Sequence, residues 1–368
     1  MPVPEIPALT PARRKVLTFV LRVAVAAAVV WIVSGLIGRI DWRAVGDALA
    51  TLSWWAIPVL ILVLLLRQVL SSAPVARFVP RLGLRRSLHN EMAANLVATV
   101  APPPSDMAVR VSMFRSWGVD PVDGMAGVTL ATVVFWGARF LAPVIGLATF
   151  VVRGVERRQW AVAGVSAAIA IAIITLLVLV LRSHRWADAV GRVAARTVTK
   201  VVRPVDEEAW AATVVDFRSR VDTTLRKHLA PALTLMLAGI VLESFILLAS
   251  LRLVGVPSSL TSAEIVGTFL LAYPMTMLPF MGLGALDATL IATWIDNVPD
   301  AMEPTLLAGT IVWRVVTLGG TLVIGALSLG WWRWSLRRQG LAVPSADAVP
   351  SGSTLPGESP SPSASDPA

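Results

Sequence analysis

The residues of this sequence with the most chemistry to offer are ionisable side chains set inside apolar runs. Arg139 and Arg314 lie deep in such runs, with apolar residues on both sides. Glu243 sits in the middle of another. Asp287 follows a break built from Pro279, Gly282 and Gly284, and Asp106 follows the triplet Pro102-Pro103-Pro104. A charge in hydrocarbon is costly, so such groups face a cavity or a partner. Two chemistries answer that need. One is an interhelical ion pair, such as Arg314 with Asp287. The other is a cationic cavity for an anionic headgroup. Arginine's planar fork donates two hydrogen bonds to a phosphate, and helix N-termini opened by the breaks would add N–H donors. Both hold together if a ligand opens the salt bridge. Arg110 follows Asp106 by four positions and is spaced to pair with it along one helix. Arg22 and Arg67 lie near the ends of their runs, where snorkelling to the interface is expected. Gly282 and Gly284 permit close backbone approach and unusual dihedrals.

The elements that must position these groups follow from composition. Of 368 residues, 56% are hydrophobic and 15% charged, against about a quarter charged in a soluble domain. The apolar residues come in long charge-free runs near the ~20 residues that cross a bilayer as a helix. That excludes a soluble enzyme, a secreted disulfide scaffold and a disordered chain. There is no cysteine, and the three histidines lie far apart; no thiolate or histidine metal site, and no cofactor, is expected. The net charge of +9 is assigned to cytoplasmic loops rather than to nucleic-acid binding.

The expected fold is an all-α polytopic membrane protein. About six full spans are read at 17–37, 54–73, 124–151, 160–181, 231–251 and 305–332. Two further segments, 88–116 and 262–295, are apolar but broken by prolines, which remove helical donors. Backbone freed in this way is tolerated only inside protein or beside water, so both are read as re-entrant. With that topology 22 of the 32 Lys/Arg fall on the cytoplasmic side and six outside, as the positive-inside bias requires. Residues 1–16 are then a cytoplasmic N-terminus and 182–228 a basic cytoplasmic loop. Residues 335–368 form a Pro/Ser-rich disordered cytoplasmic tail, and the expected location is the plasma membrane. The order span, span, broken segment, span occurs twice, over 17–152 and 160–334. Pro104 to Arg139 and Pro279 to Arg314 are both 35 residues. Each half crosses three times, so the halves form an inverted repeat, a recurrent transporter design.

Specific motifs sharpen this reading. They are Asn95, then the proline break, then Arg110 and Met113-Phe114-Arg115-Ser116-Trp117-Gly118. Later come Leu278-Pro279, Gly282-Leu283-Gly284-Ala285-Leu286-Asp287 and Val312-Trp313-Arg314. Together they resemble the lysylphosphatidylglycerol synthase transmembrane family, also called the flippase-like domain family, over about residues 15–335. The resemblance implies an integral plasma-membrane protein. Some members translocate aminoacylated phospholipid, and others are tied to polyprenyl-linked envelope glycans. It adds Asn95 to the candidate substrate-binding set of Arg139, Arg314, Asp106, Arg110, Pro279, Gly282, Gly284, Asp287 and Glu243. Two departures stand out. The family often carries glycines after the first-half proline, where this chain has Ser105-Asp106. Its aminoacyl-transferring members also have a large soluble C-terminal domain, so the expectation here is the membrane module alone, without synthase activity.

The leading reading is therefore a flippase-like protein that binds a phospholipid or polyprenyl-phosphate headgroup. No Walker loop, Ser-His-Asp pattern or metal cluster is found, and enzyme activity is not expected. The rivals are a membrane enzyme acting on lipid-linked sugars and a scaffold for envelope-synthesis proteins. The enzyme would draw on the scattered outer acids Asp41, Asp47, Glu156, Glu264, Asp296, Asp300 and Glu303. The topology is directly testable, because every introduced thiol reports alone. Arg115→Cys in intact cells is expected to react only with a membrane-permeant maleimide, and labelling by an impermeant reagent from outside sinks the re-entrant arrangement.

Overall fold

A computed structural model of the chain describes residues 54–101, 104–150, 157–182, 207–295, 298–299 and 302–339. The expected first span, the N-terminus, residues 183–206 of the basic loop and the tail beyond Gln339 lie outside the described residues, as do Pro102 and Pro103. What is described is helical, with no strand among the described residues. The helices are α1 (Ala56–Phe78), α2 (Gly83–Val100), α3 (Ser105–Ser116), α4 (Pro121–Ala148), α5 (Arg157–Arg182), α6 (Glu207–Leu253), α7 (Ser262–Ala272), α8 (Pro279–Gly282), α9 (Ala285–Trp294), α10 (Glu303–Arg314) and α11 (Gly320–Arg338).

Five stretches among the described residues are long and apolar enough to cross a membrane: Ala56–Phe78, Pro121–Ala148, Gln159–Leu177, Lys227–Leu253 and Glu303–Arg338. They match the spans read from 54, 124, 160, 231 and 305. Apolar composition over about 20 residues fixes them, since a helix satisfies all its backbone groups internally. α6 is longer than its span. It begins at Glu207 and runs 47 residues through Pro231, so part of the basic loop is helical and continuous with the span. The last stretch is also less regular than its composition suggests. Directly after Arg314 the helix widens into a π-turn over Val315–Gly319 before α11 begins. Such turns often mark functional positions.

Both proline-broken segments are broken where the prolines stand. In the first, α2 ends at Val100 and α3 starts at Ser105. The two helices fold back on each other: Arg110 of α3 meets Asn90 and Glu91 of α2, and Met113 packs with Ala93. In the second, α7 runs into a 3₁₀ turn at Tyr273–Met277 that carries Pro274. The four-residue α8 and then α9 follow.

The chain groups into two compact units, each drawing on both halves of the sequence. Of the described residues, unit 1 holds those from 54 to Ser71, Val133–Leu179 and Leu233–Gly319. Unit 2 holds Ser72–Thr132, Val180–Ala232 and Gly320 onward. Within unit 1, α4 crosses α7 through glycine. A Cβ on Gly146 would stand 2.9 Å from the Gly267 carbonyl oxygen and 3.0 Å from the Leu271 nitrogen. Small residues let backbones approach in this way where no hydrophobic drive separates helix from lipid. Within unit 2, Gly325 of α11 serves likewise against the Met92 carbonyl of α2. Arg252 closes the end of α6 by donating to the carbonyls of Val256, Pro257 and Leu260.

Helix propensity alone favours Gly→Ala by about 1 kcal/mol. At Gly164, where a Cβ meets nothing within 4 Å, the alanine variant is expected to melt at or above the wild-type temperature in detergent. At Gly146 the obstructing atoms are largely backbone, and overpacking of about 1–3 kcal/mol is expected to lower it. Equal melting temperatures for the two variants would refute the crossing.

Candidate functional site

Unit 1 contains three of the arginines read inside apolar runs, Arg67, Arg139 and Arg314, and the structure treats them differently. Arg67 of α1 reaches Glu243 of α6, Nη2 to Oε2 at 2.9 Å, while its Nη1 donates to Gln68. The same Glu243 oxygen accepts the Tyr273 hydroxyl at 3.3 Å. The expectation that Arg67 snorkels is thus corrected. A carboxylate 176 positions away offers its charge a partner inside the protein.

Arg314 also has a carboxylate. Its Nε donates to Asp287 Oδ1 at 2.8 Å, and its Nη1 reaches the Met281 carbonyl at 3.3 Å. Asp287 Oδ2 in turn accepts the Gly284 N–H at 2.8 Å. This is the ion pair expected from the sequence, and it does more than neutralise charge. Met281, Gly282 and Gly284 all have positive φ, of 58°, 70° and 83°. A Cβ on Gly282 would stand 2.7 Å from the Met275 carbonyl oxygen. Arg314 and Asp287 clamp this unusual turn from both ends. Pro279 opens α8 at its start. One donor remains: Nη2 of Arg314 is buried and unpartnered.

Arg139 of α4 is the exception. It is 6% exposed, yet among the described residues it donates no hydrogen bond and pairs with no carboxylate, and its Nε is buried without an acceptor. Its guanidinium lies over the Phe135 and Trp136 rings at 4.8 and 5.0 Å. It is within electrostatic reach of Glu243 and Tyr273, so Arg67, Glu243, Tyr273 and Arg139 form one cluster. A chain of edge-on rings runs from it to Arg314. Tyr273 meets Phe269 at 5.6 Å, Phe269 meets Trp313 at 5.5 Å, and Arg314 lies 4.3 Å over Trp313. Unit 1 therefore sets two buried arginines and the half-buried Arg67 against two described carboxylates, Glu243 and Asp287. Among the described residues one positive charge is left over.

Of the candidate residues, Arg139, Arg314, Glu243, Asp287, Pro279, Gly282 and Gly284 fall in unit 1. Asn95, Asp106 and Arg110 belong to unit 2. There Arg110 does not pair with Asp106. Its Nη1 instead donates to Glu91 Oε2 at 2.8 Å and Asn90 Oδ1 at 3.1 Å. Arg110 lies on the buried face of α3 against α2, so the across-helix carboxylate wins over the one on its own helix. Asp106 stands half-buried in the first turn of α3. Among the described residues the Asn95 side chain makes no hydrogen bond. Of the outer acids, Glu264 closes a capping box with Thr261 at the start of α7. Asp41, Asp47, Glu156, Asp296 and Asp300 lie outside the described residues. Tyr273, Glu91 and Asn90 lie outside the candidate set, and so does Arg67, which was expected only to snorkel. Tyr273 is the one tyrosine of the chain and stands beside a broken helix, which was the available signal.

Long apolar helices, two proline-broken segments and buried arginines define a multi-pass helical membrane protein built around internal cations. The chain belongs to the family of the lysylphosphatidylglycerol synthase TM region, whose model matches residues 19–325. No curated protein matches the chain.

The leftover charge makes a stability forecast. Glu243→Gln strands two guanidiniums in one cluster and is expected to cost about 3 kcal/mol or more. Arg139→Gln removes an uncompensated charge and is expected to leave the detergent melting temperature unchanged or raised. The double variant should recover part of the Glu243→Gln loss. If Arg139→Gln melts as early as Glu243→Gln, Arg139 is structural.

Proposed function

We propose that the protein binds the phosphate of a membrane lipid headgroup at the Arg139 cluster and carries that headgroup across the bilayer. The observation that carries this reading is the buried guanidinium of Arg139, unpaired among the described residues, in a cluster with one excess positive charge among them. A lipid phosphate supplies the missing anion and the acceptors in one group. Arginine matches it with parallel N–H donors, and burial strengthens each bond because water does not compete. The free Nη2 of Arg314 gives a second donor at the far end of the aromatic chain.

On this reading the ion pairs divide the labour. Arg67–Glu243 holds α1 to α6, and Tyr273 brings the second break to the same carboxylate. Arg314–Asp287 holds that break in its tight turn. A phosphate arriving at Arg139 competes for these pairs and loosens the break, which gives a means of opening one side at a time. The two broken segments are re-entrant gates, the two halves are an inverted repeat, and both termini lie in the cytoplasm. The membrane is the plasma membrane, and the cargo is a phospholipid or a polyprenyl-phosphate-linked headgroup. The chain carries out no group transfer itself. The charge excess favours this over an enzyme of lipid-linked sugars, because an unpaired guanidinium binds anions but abstracts no proton at neutral pH.

The test is accessibility of a fluorescent phospholipid headgroup to an impermeant quencher in proteoliposomes. Arg139→Gln is expected to slow wild-type equilibration by at least about tenfold, the loss of one charged hydrogen bond of about 1.5–3 kcal/mol. Arg139→Lys should fall between. Equal rates for wild type and Arg139→Gln overturn the reading.

A further inference from the structure

A second cationic feature lies in unit 2, and the buried cluster does not use it. Three helix ends converge there. Arg85 of α2 lies 4.8 Å over Trp331 of α11, and His89, one turn on, stacks on the same ring at 4.9 Å and 11°. Arg86 lies over Trp117, which follows α3, at 5.9 Å. Trp332 Nε1 donates to Ser116 Oγ at 3.0 Å. These contacts bring the start of α2, the end of α3 and the end of α11 to one end of the unit. Beneath them Ala93, Met113, Trp332 and Leu336 form a closed apolar core, so the ends are held in place.

The surface over this core is unusual in charge. Arg85, Arg86, Arg115, Arg333, Arg337 and Arg338 are all exposed. None pairs with a carboxylate among the described residues. The acids nearest in the chain are Glu91, which holds Arg110, and Asp120 and Asp123 at the start of α4. Asp120 Oδ1 is occupied by the Val122 N–H. Arg338 lies 3.8 Å over Trp334, so three of the guanidiniums lie over aromatic rings. His89 Nδ1 is buried and unpartnered at the edge of the patch. Trp331 and Trp334 are 41% and 48% exposed, as tryptophans are where a protein meets the headgroup layer.

We infer that this end of unit 2 seats the phosphate headgroup of an anionic phospholipid, with stacked arginines as donors and the exposed tryptophans at the level of the glycerol backbone. Six exposed guanidiniums without a carboxylate partner among the described residues leave their N–H forks free, and three of them sit against aromatic rings, an arrangement that suits a phosphodiester. A zwitterionic lipid presents the same phosphate with a cation beside it, which the patch repels. The seat anchors the protein in a leaflet rich in acidic lipid, and it stands whether or not the Arg139 cluster moves cargo.

Native mass spectrometry of the full purified chain, with phosphatidylglycerol or phosphatidylcholine added to the detergent, reads the seat directly. Wild type is expected to hold phosphatidylglycerol in preference to phosphatidylcholine. The variant Arg85→Gln/Arg86→Gln/Arg338→Gln should bind phosphatidylglycerol at least about tenfold more weakly, since three charges beside the anionic headgroup are lost, with phosphatidylcholine binding unchanged. Arg85→Lys/Arg86→Lys/Arg338→Lys keeps the charge and loses the stacked plane, so it should lie between. Should the triple variant fail to purify, Arg338→Gln alone, at the last turn of α11, is expected to weaken phosphatidylglycerol binding severalfold. Equal binding of phosphatidylglycerol by wild type and the Gln variants overturns the inference. So does equal binding of the two lipids by wild type. Tight binding of a polyglutamate peptide that phosphatidylglycerol does not displace also overturns it, and points to an acidic protein partner.

Discussion

A guanidinium buried among apolar helices must be neutralised, and the described part of unit 1 is arranged around that demand. Moving an ion out of water costs several kcal/mol even after relaxation. The structure answers twice with carboxylates, Glu243 for Arg67 and Asp287 for Arg314. Each pairing joins segments far apart in the chain, so neutralising charge and fixing tertiary structure are the same event. α1 cannot shift along α6 without separating Arg67 from Glu243. The turn at Met281–Gly284 cannot relax without releasing Asp287 from Arg314.

The second break depends most on this. Three residues of positive φ in four positions make a turn that ordinary helical backbone does not adopt, and the non-glycine Met281 is among them. Such conformations persist only when their surroundings over-determine them. Arg314 supplies that from one side through the Met281 carbonyl and Asp287. Tyr273 supplies it from the other, as its hydroxyl reaches Glu243 at the head of the 3₁₀ turn. The Phe269 ring between Tyr273 and Trp313 keeps the two supports in contact. A change at either ion pair is therefore felt in the break, and a change in the break at both.

How much of this could be read in advance follows from range. The spans were legible because hydrocarbon thickness imposes a length on any crossing helix, and α1, α4 and α5 begin and end within a few residues of their apolar runs. The breaks were legible because proline acts on its own neighbours: α2 stops at Val100, just before the triplet, and α7 gives way beside Pro274. The Arg314–Asp287 pair was legible because both residues flank one motif. Arg67 was misread, since closeness to a helix end is a local cue while its partner lies on α6. Arg110 was misread for the same reason, a spacing of four along α3 being visible and Glu91 across the hairpin not. The π-turn after Arg314 left no mark, as Val315-Val316-Thr317-Leu318 suits an α-helix equally well. The glycine crossing of α4 and α7 was equally silent, because a glycine in an apolar run shows nothing of what approaches it.

Arg139 and Arg314 make the sharpest comparison. Each stands 35 residues after a break proline, and each rests on an aromatic ring of its own helix. Yet one is tied to a carboxylate and a backbone carbonyl, and among the described residues the other is tied to neither. Had both been paired, the apolar interior would hold a latch on each side and no unmet charge. Had neither been paired, two bare cations would repel each other, and the second break would lose its clamp. With one of each, a fixed support faces an unsatisfied donor across a short run of rings. On the proposed reading, an anion at Arg139 adds a charge the cluster lacks, while at Arg314 it meets a guanidinium that Asp287 already neutralises and that has only Nη2 left to donate. On that reading charge balance sets the order of engagement, Arg139 before Arg314, whichever lipid headgroup is the cargo.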